Sequence, residues 1–162
     1  MTPETDARTV LLRHTIATVA YRGAKVLRGA PAGFASFKLN PTTRTPAEIL
    51  AHIGDLYDWA LAMAQGRNDW HDSPPLGWQQ ETERFFRALA AFDGYLASSL
   101  PLGTPVENLF QGPVADSLTH IGQLAMMRRI SGSAIRGENY AKAHIVAGHV
   151  GLNQNTARVE FG

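Results

Sequence analysis

The stretch "RTPAEILAHIGDLYDWALAMAQG", residues 44–66, specifies a helix together with both of its ends. Thr45 offers a hydroxyl N-cap, Pro46 suits the first helical position where no N–H is required, and Glu48 follows the cap by three residues, as a capping box needs. The spacing predicts a helix to about Gln65, closed by Gly66. Its apolar stripe runs through Ile49, Leu56, Trp59 and Met63, with His52 among them and Glu48 and Asp55 flanking. A stripe of this kind must be buried against other helices, and it carries an imidazole in with it.

Outward from this helix the pattern stays helical. Residues 3–28 place apolar residues at helical spacing, with acids near the start and Lys25 and Arg28 near the end. The next segment, "RGAPAGFASFKLNPTTR" (28–44), is rich in Gly, Pro, Ser and Thr and reads as a long connection, one that lets the first two helices run parallel. "RNDWHDSPPLG" (67–77) is a loop by composition, and "WQQETERFFRALAAFDGYLASSL" (78–100) is a third amphipathic helix closed by Pro101 and Gly103. A fourth helix begins after Pro105 or Pro113 and ends at Gly132. The chain is therefore expected to be all-α, a four-helix bundle forming one domain over 1–162, with 133–162 an extension packed on the bundle as an ordered wrap or short helix.

Composition excludes several classes of function. With 15 Lys plus Arg against 14 Asp plus Glu there is no clustered basic surface for phosphate binding, so nucleic acid is not an expected partner. The opening "MTPETDARTV" lacks a signal-peptide pattern, and no apolar run approaches the roughly 18 residues of a membrane span, so a soluble, cytoplasmic chain without a membrane partner is expected. The absence of cysteine removes disulfides, thiolate ligands and a thiol nucleophile. Phosphate-binding glycine loops are missing, and no serine lies in a nucleophile elbow.

The informative polar residues are histidines. In "GPVADSLTHIGQLAMMRRISG" (112–132), His120 shares a face with Asp116, Leu124 and Met127, with Gln123 at its edge. Imidazole and carboxylate are good ligands for divalent first-row ions, and residues four apart on a helix converge, so His52, Asp116 and His120 form a candidate ion site with open positions. The alternative is a pair of neutral, hydrogen-bonded core histidines beside an aspartate that favours the positive end of its helix. His14, on a face of the first helix with Val10, Leu11, Thr18 and Tyr21, is a reserve ligand. Gln123 is placed to orient a ligand, and Tyr57 and Trp59 to line a pocket. Leu118, Gly122, Ala125 and Met126 form a second apolar face, which either packs within the chain or joins two copies as a homodimer.

The stretches 44–66 and "GPVADSLTHIGQLAMMRRISGSAIRGENY" (112–140), in a chain of this length and helical pattern, resemble the DinB/YfiT-like bundle superfamily. That resemblance implies a bundle with a long connection after its first helix and, in many members, a three-histidine divalent metal site. By position His52 matches the first ligand and His120 the last. Where the superfamily's pair reads His-x-x-x-His, this chain has Asp116, implying either a two-histidine, one-carboxylate site open to zinc, nickel, manganese or iron, or a branch without metal. The activity implied is that of a metal-dependent transferase using a low-molecular-weight thiol, or a hydrolase; the alternative is a non-catalytic bundle that binds a small molecule or acts as a scaffold.

Overall fold

The computed structural model describes residues 6–162. Five α-helices carry the fold: α1 (Ala7–Leu27), α2 (Pro46–Ala64), α3 (Trp78–Ala97), the single-turn α4 (Val106–Leu109) and α5 (Ala115–Ile130). α4 runs into α5 through one π-helical turn, Phe110–Val114, which accommodates Pro113. Both proline signals were thus meaningful, Pro105 marking the first helical turn and Pro113 the wide one. The start expected for the first helix at residues 3–5 lies outside the described residues; α1 is capped by Asp6, whose carboxylate accepts from the Arg8 N–H.

The capping signals in α2 are realised in full. Thr45 Oγ1 accepts from the Glu48 N–H at 3.2 Å, and Glu48 Oε2 accepts from the Thr45 N–H at 2.6 Å. At the other end Gly66 takes φ +77°, so that the Arg67 N–H reaches back to the Ala62 carbonyl at 2.8 Å and closes the last turn.

Side-chain pairings fix the direction of each helix. Arg13 meets Asp93, and a Cβ on Gly23 would fall 2.8 Å from the Phe85 ring, so α1 and α3 are antiparallel. Arg84, early in α3, donates to the Ala51 carbonyl, early in α2, while Phe92 stacks near Tyr57 at 6.2 Å; α2 and α3 are parallel. His52 faces His120 and Tyr57 faces Ser117, making α2 and α5 antiparallel. Arg8 pairs with Glu107 and Arg128 with the Val26 carbonyl, so α1 and α5 share a direction. It follows that α1 and α2 are antiparallel, contrary to the parallel pair expected from the sequence. The connection over 28–45 is long but returns to the same end of the bundle; the crossover that permits a parallel pair is 65–77, which runs back along α2.

The interior is filled by Ile16, Val19, Ile53, Phe85, Leu89, Phe92, Leu109 and Leu124. α2 ends against the segment after α3, where Gly103 donates to the Ala64 carbonyl at 2.8 Å and the backbones of Gly66 and Gly103 approach so closely that a Cβ on Gly103 would lie 2.2 Å from the Gly66 Cα. Only glycine fits there.

Beyond α5 the chain is an ordered wrap with one short 3₁₀ turn, Tyr140–Lys142, and a two-residue antiparallel pairing of β1 (Gly137–Glu138) with β2 (Glu160–Phe161), which the sequence reading did not foresee. Glu138 is buried and accepts from Tyr21 Oη at 2.6 Å and Lys25 Nζ at 2.7 Å, tying the wrap to α1. Arg128 is buried too, and its guanidinium donates to the Val26, Arg28, Gly29 and Ser133 carbonyls, satisfying groups that the end of α1 leaves unpaired. Of the second apolar face of α5, Leu118 and Ala125 pack against the chain's own core; Gly122 and Met126 are exposed. No helix among the described residues is long and apolar enough to cross a membrane.

Candidate metal centre

Ile49 and Leu56 on α2, and Leu124 and Met127 on α5, are buried, and they turn His52 and His120 towards one another across the antiparallel pair. The two imidazoles lie edge to face with centroids 4.7 Å apart, their side chains only 17% and 13% exposed. Asp116, one turn before His120, completes the group: its Oδ1 is 3.5 Å from His120 Nε2 and its Oδ2 3.7 Å from His52 Nε2. Ligand-type atoms of all three residues lie within 4.8 Å of one another.

These separations are informative. They are too long for good hydrogen bonds, yet ligands held about 2.1 Å from a tetrahedral ion stand roughly 3.4 Å apart. Asp116 is thus spaced from each histidine as one ligand is from another, and it lies half-exposed at the open edge. His120 Nδ1 is hydrogen-bonded to Gln123, as the core-histidine alternative expects of one ring, while the Nε2 atoms of both rings face the Asp116 carboxylate.

Electrostatics and hydrogen bonding prepare both rings. Burial is the largest influence on His52 and pushes its pKa down, with the neighbouring His120 ring and the Arg44 charge acting in the same sense and Asp116 opposing them. His52 is therefore biased to the neutral form that ligates. His120 Nδ1 lies 2.8 Å from Gln123 Oε1. An amide oxygen only accepts, so Nδ1 donates to Gln123 and Nε2 is the ring nitrogen turned towards Asp116.

The crossover covers one side of the site. Trp70 sets its ring edge to face with His52 at 5.6 Å and with Trp59 at 5.7 Å, and Trp59 Nε1 donates to Asn68 Oδ1 at 3.0 Å. Trp59 also walls a cleft on the Asp116 side. Tyr57, expected to line the pocket, does not: its ring is fully buried between Phe85 and Phe92, and its hydroxyl pairs with Ser117 at 2.6 Å. Burial drives the Tyr57 phenol well above its ordinary range, so it stays a neutral core group. His14 is exposed on α1, outside the cluster.

A second set of donor atoms, Asp55, Asp58 and His71, is equally compact. Here a protein cation already holds the middle: Arg84 pairs with both aspartates and with Glu81. Asp55 also accepts from the Ser73 N–H and Oγ–H, each at 2.8 Å, and faces His71 Nε2 at 3.0 Å. Burial raises the Asp55 carboxyl, but the Ser73 donors and the Arg84 charge outweigh it and hold the pKa below the usual carboxylate range. This group fastens the crossover to α2 and α3.

Sequence reasoning missed Arg44, Trp70 and the Asp55–Arg84 pair. Arg44 and Trp70 lie in connections without periodicity, and the ion pair joins residues 29 apart. No protein-family model matches the chain, and no curated protein and no solved structure shows significant similarity to it.

Proposed function

We propose that the chain is a divalent-metal-dependent enzyme in which His52, Asp116 and His120 hold the ion. The observation that carries this reading is the convergence of three donor atoms within 4.8 Å, with His120 Nδ1 already hydrogen-bonded to Gln123. The resemblance to DinB-like bundles supports it, since two of the three residues fall where that superfamily places histidine ligands and the third supplies a carboxylate. Two imidazoles and one carboxylate suit zinc, nickel, manganese or iron and leave coordination positions open. A divalent ion there supplies Lewis acidity, lowering the pKa of a thiol or a water near neutral pH. Transfer of a low-molecular-weight thiol, or hydrolysis, is the reaction class proposed.

The chain's own residues bind and orient. His52 and His120 present their Nε2 atoms towards Asp116, Gln123 fixes one ring, and Trp70 shields the His52 edge. One observation favours the second reading, a non-catalytic bundle that binds a small molecule: the nearest buried acids, Asp55 and Glu81, are committed to Arg84, Ser73 and the Leu76 N–H, leaving neither free to move a proton.

Elemental analysis of the chain purified without added metal, followed by cobalt(II) titration read in the visible spectrum, tests the proposal. Stoichiometric metal with a tetrahedral or five-coordinate cobalt spectrum, abolished in His120→Ala and weakened in Asp116→Asn, is expected. A wild-type chain that neither carries nor takes up metal overturns it. Thiol-conjugation and ester-hydrolysis assays on the loaded protein then separate enzyme from bundle.

A further inference from the structure

We propose that this site takes a small organic monoanion with an apolar tail, its head lying between Arg44 and the His52–His120 pair and its tail on the ledge formed by Met126 and Ile130. The proposal rests on the ion-site reading above, because it places the head group at that centre.

A cavity of about 360 Å³ opens beside His120 and Gln123. That size suits a small ligand rather than a macromolecular segment. Its walls divide by chemistry. One side is hydrocarbon and thioether, with Leu39, Ile49, Met126, Met127 and Ile130 contributing. Met126 and Ile130 are 58% and 48% exposed, so an apolar surface is left in water at the edge of a polar centre. Methionine is flexible and polarizable, and adapts to tails of varied shape.

The other side carries Arg44, which also borders the adjoining cleft on the His52 side. Among the described residues Arg44 forms no ion pair with any acid within 4.0 Å. The other guanidinium close to the cluster, Arg84, is tied to three carboxylates. Arg44 thus offers a planar, permanently charged fork at the mouth of the cavity, suited to a carboxylate or a comparable anion. The charge requires an anionic head, and the methionine side requires a tail of several carbons.

Isothermal titration of the full chain with hexanoate, acetate and hexan-1-ol, with and without cobalt(II), tests this. A fully buried methylene strengthens binding by about fourfold, so hexanoate on a half-open ledge is expected to bind at least about tenfold tighter than acetate. Arg44→Gln should weaken hexanoate by about fivefold and leave hexan-1-ol unchanged. Met126→Ser should weaken hexanoate and leave acetate unchanged. Both positions are exposed, and circular dichroism verifies the fold of each variant. Hexanoate binding no tighter than acetate, or an Arg44→Gln loss equal for hexanoate and hexan-1-ol, overturns the proposal. Cobalt absorption in the same samples separates the two readings. A chain that takes cobalt but not hexanoate keeps the ion site and loses the anion site; Arg44-dependent hexanoate binding without cobalt does the reverse; neither ligand binding removes both.

Discussion

His120 Nδ1 and Gln123 Oε1 lie 2.8 Å apart on successive turns of α5, so one side chain fixes the ring orientation of the other. Gln123 touches the cluster through His120 Nδ1, the nitrogen turned away from Asp116, and its influence is on how that ring is held. Replacing Gln123 with Leu should therefore lower cobalt(II) affinity by about 10- to 100-fold while leaving helicity and unfolding midpoint close to wild type. Unchanged affinity in a folded Gln123→Leu protein would show that the hydrogen bond has no role in ligation.

The crossover clamp should matter to stability. Arg84→Met leaves Asp55, whose side chain is 2% exposed, without its cation, and removing one partner of a buried pair typically costs about 3–5 kcal/mol. Urea unfolding followed by circular dichroism measures the loss, and limited proteolysis should cut within 65–77 faster than in wild type. A loss in the double variant Arg84→Met, Asp55→Leu equal to the sum of the two single losses would mean that the pair is not coupled.

The same clamp sets a pH dependence. Asp55 has its folded pKa held below the unfolded value of about 3.9, so its contribution is complete above that pH and disappears as the pH falls through the folded pKa. Urea midpoints measured from pH 7 downward should fall more steeply below about pH 4 in wild type than in Asp55→Asn. Parallel curves would contradict the assignment.

Gly103→Ala should destabilise the chain by about 1–3 kcal/mol, because the added Cβ meets the backbone of Gly66 and neither segment has a side chain that can rotate away. Gly122→Ala, with open space around it, is the control and should be neutral or slightly stabilising through helix propensity. Thermal unfolding of the two variants checks the contrast.

Much of α2 could be read directly from its residues, since Thr45, Pro46, Glu48 and Gly66 act within a turn of where they stand in the chain. His52, Asp116 and His120 were equally readable, because helical phase places side chains on faces. Phase also argued against Tyr57: five residues beyond His52 is roughly 140° round the helix, facing Phe85 and Phe92, whereas Trp59 at seven residues returns to the same side. Chain direction was not readable. Periodicity is blind to it, and a connection of many residues can either cross the bundle or turn back, as 28–45 does. What separates the two long connections is tertiary: Asp55, Ser73 and Arg84 bind 65–77 along α2 through contacts that no local pattern announces.

The pairing of α1 with α5 has a consequence for biosynthesis. Arg128 closes on the Val26 carbonyl across 102 residues, and His52 meets its opposite imidazole only when that same late helix docks. Chains are made from the N-terminus at about 5–20 residues per second, so the segments of α1, α2 and α3 exist for roughly 2–7 seconds before α5 is complete. The imidazole pair can therefore form only after α5 has been made, and a chain interrupted anywhere before α5 carries one imidazole of the pair and no cluster.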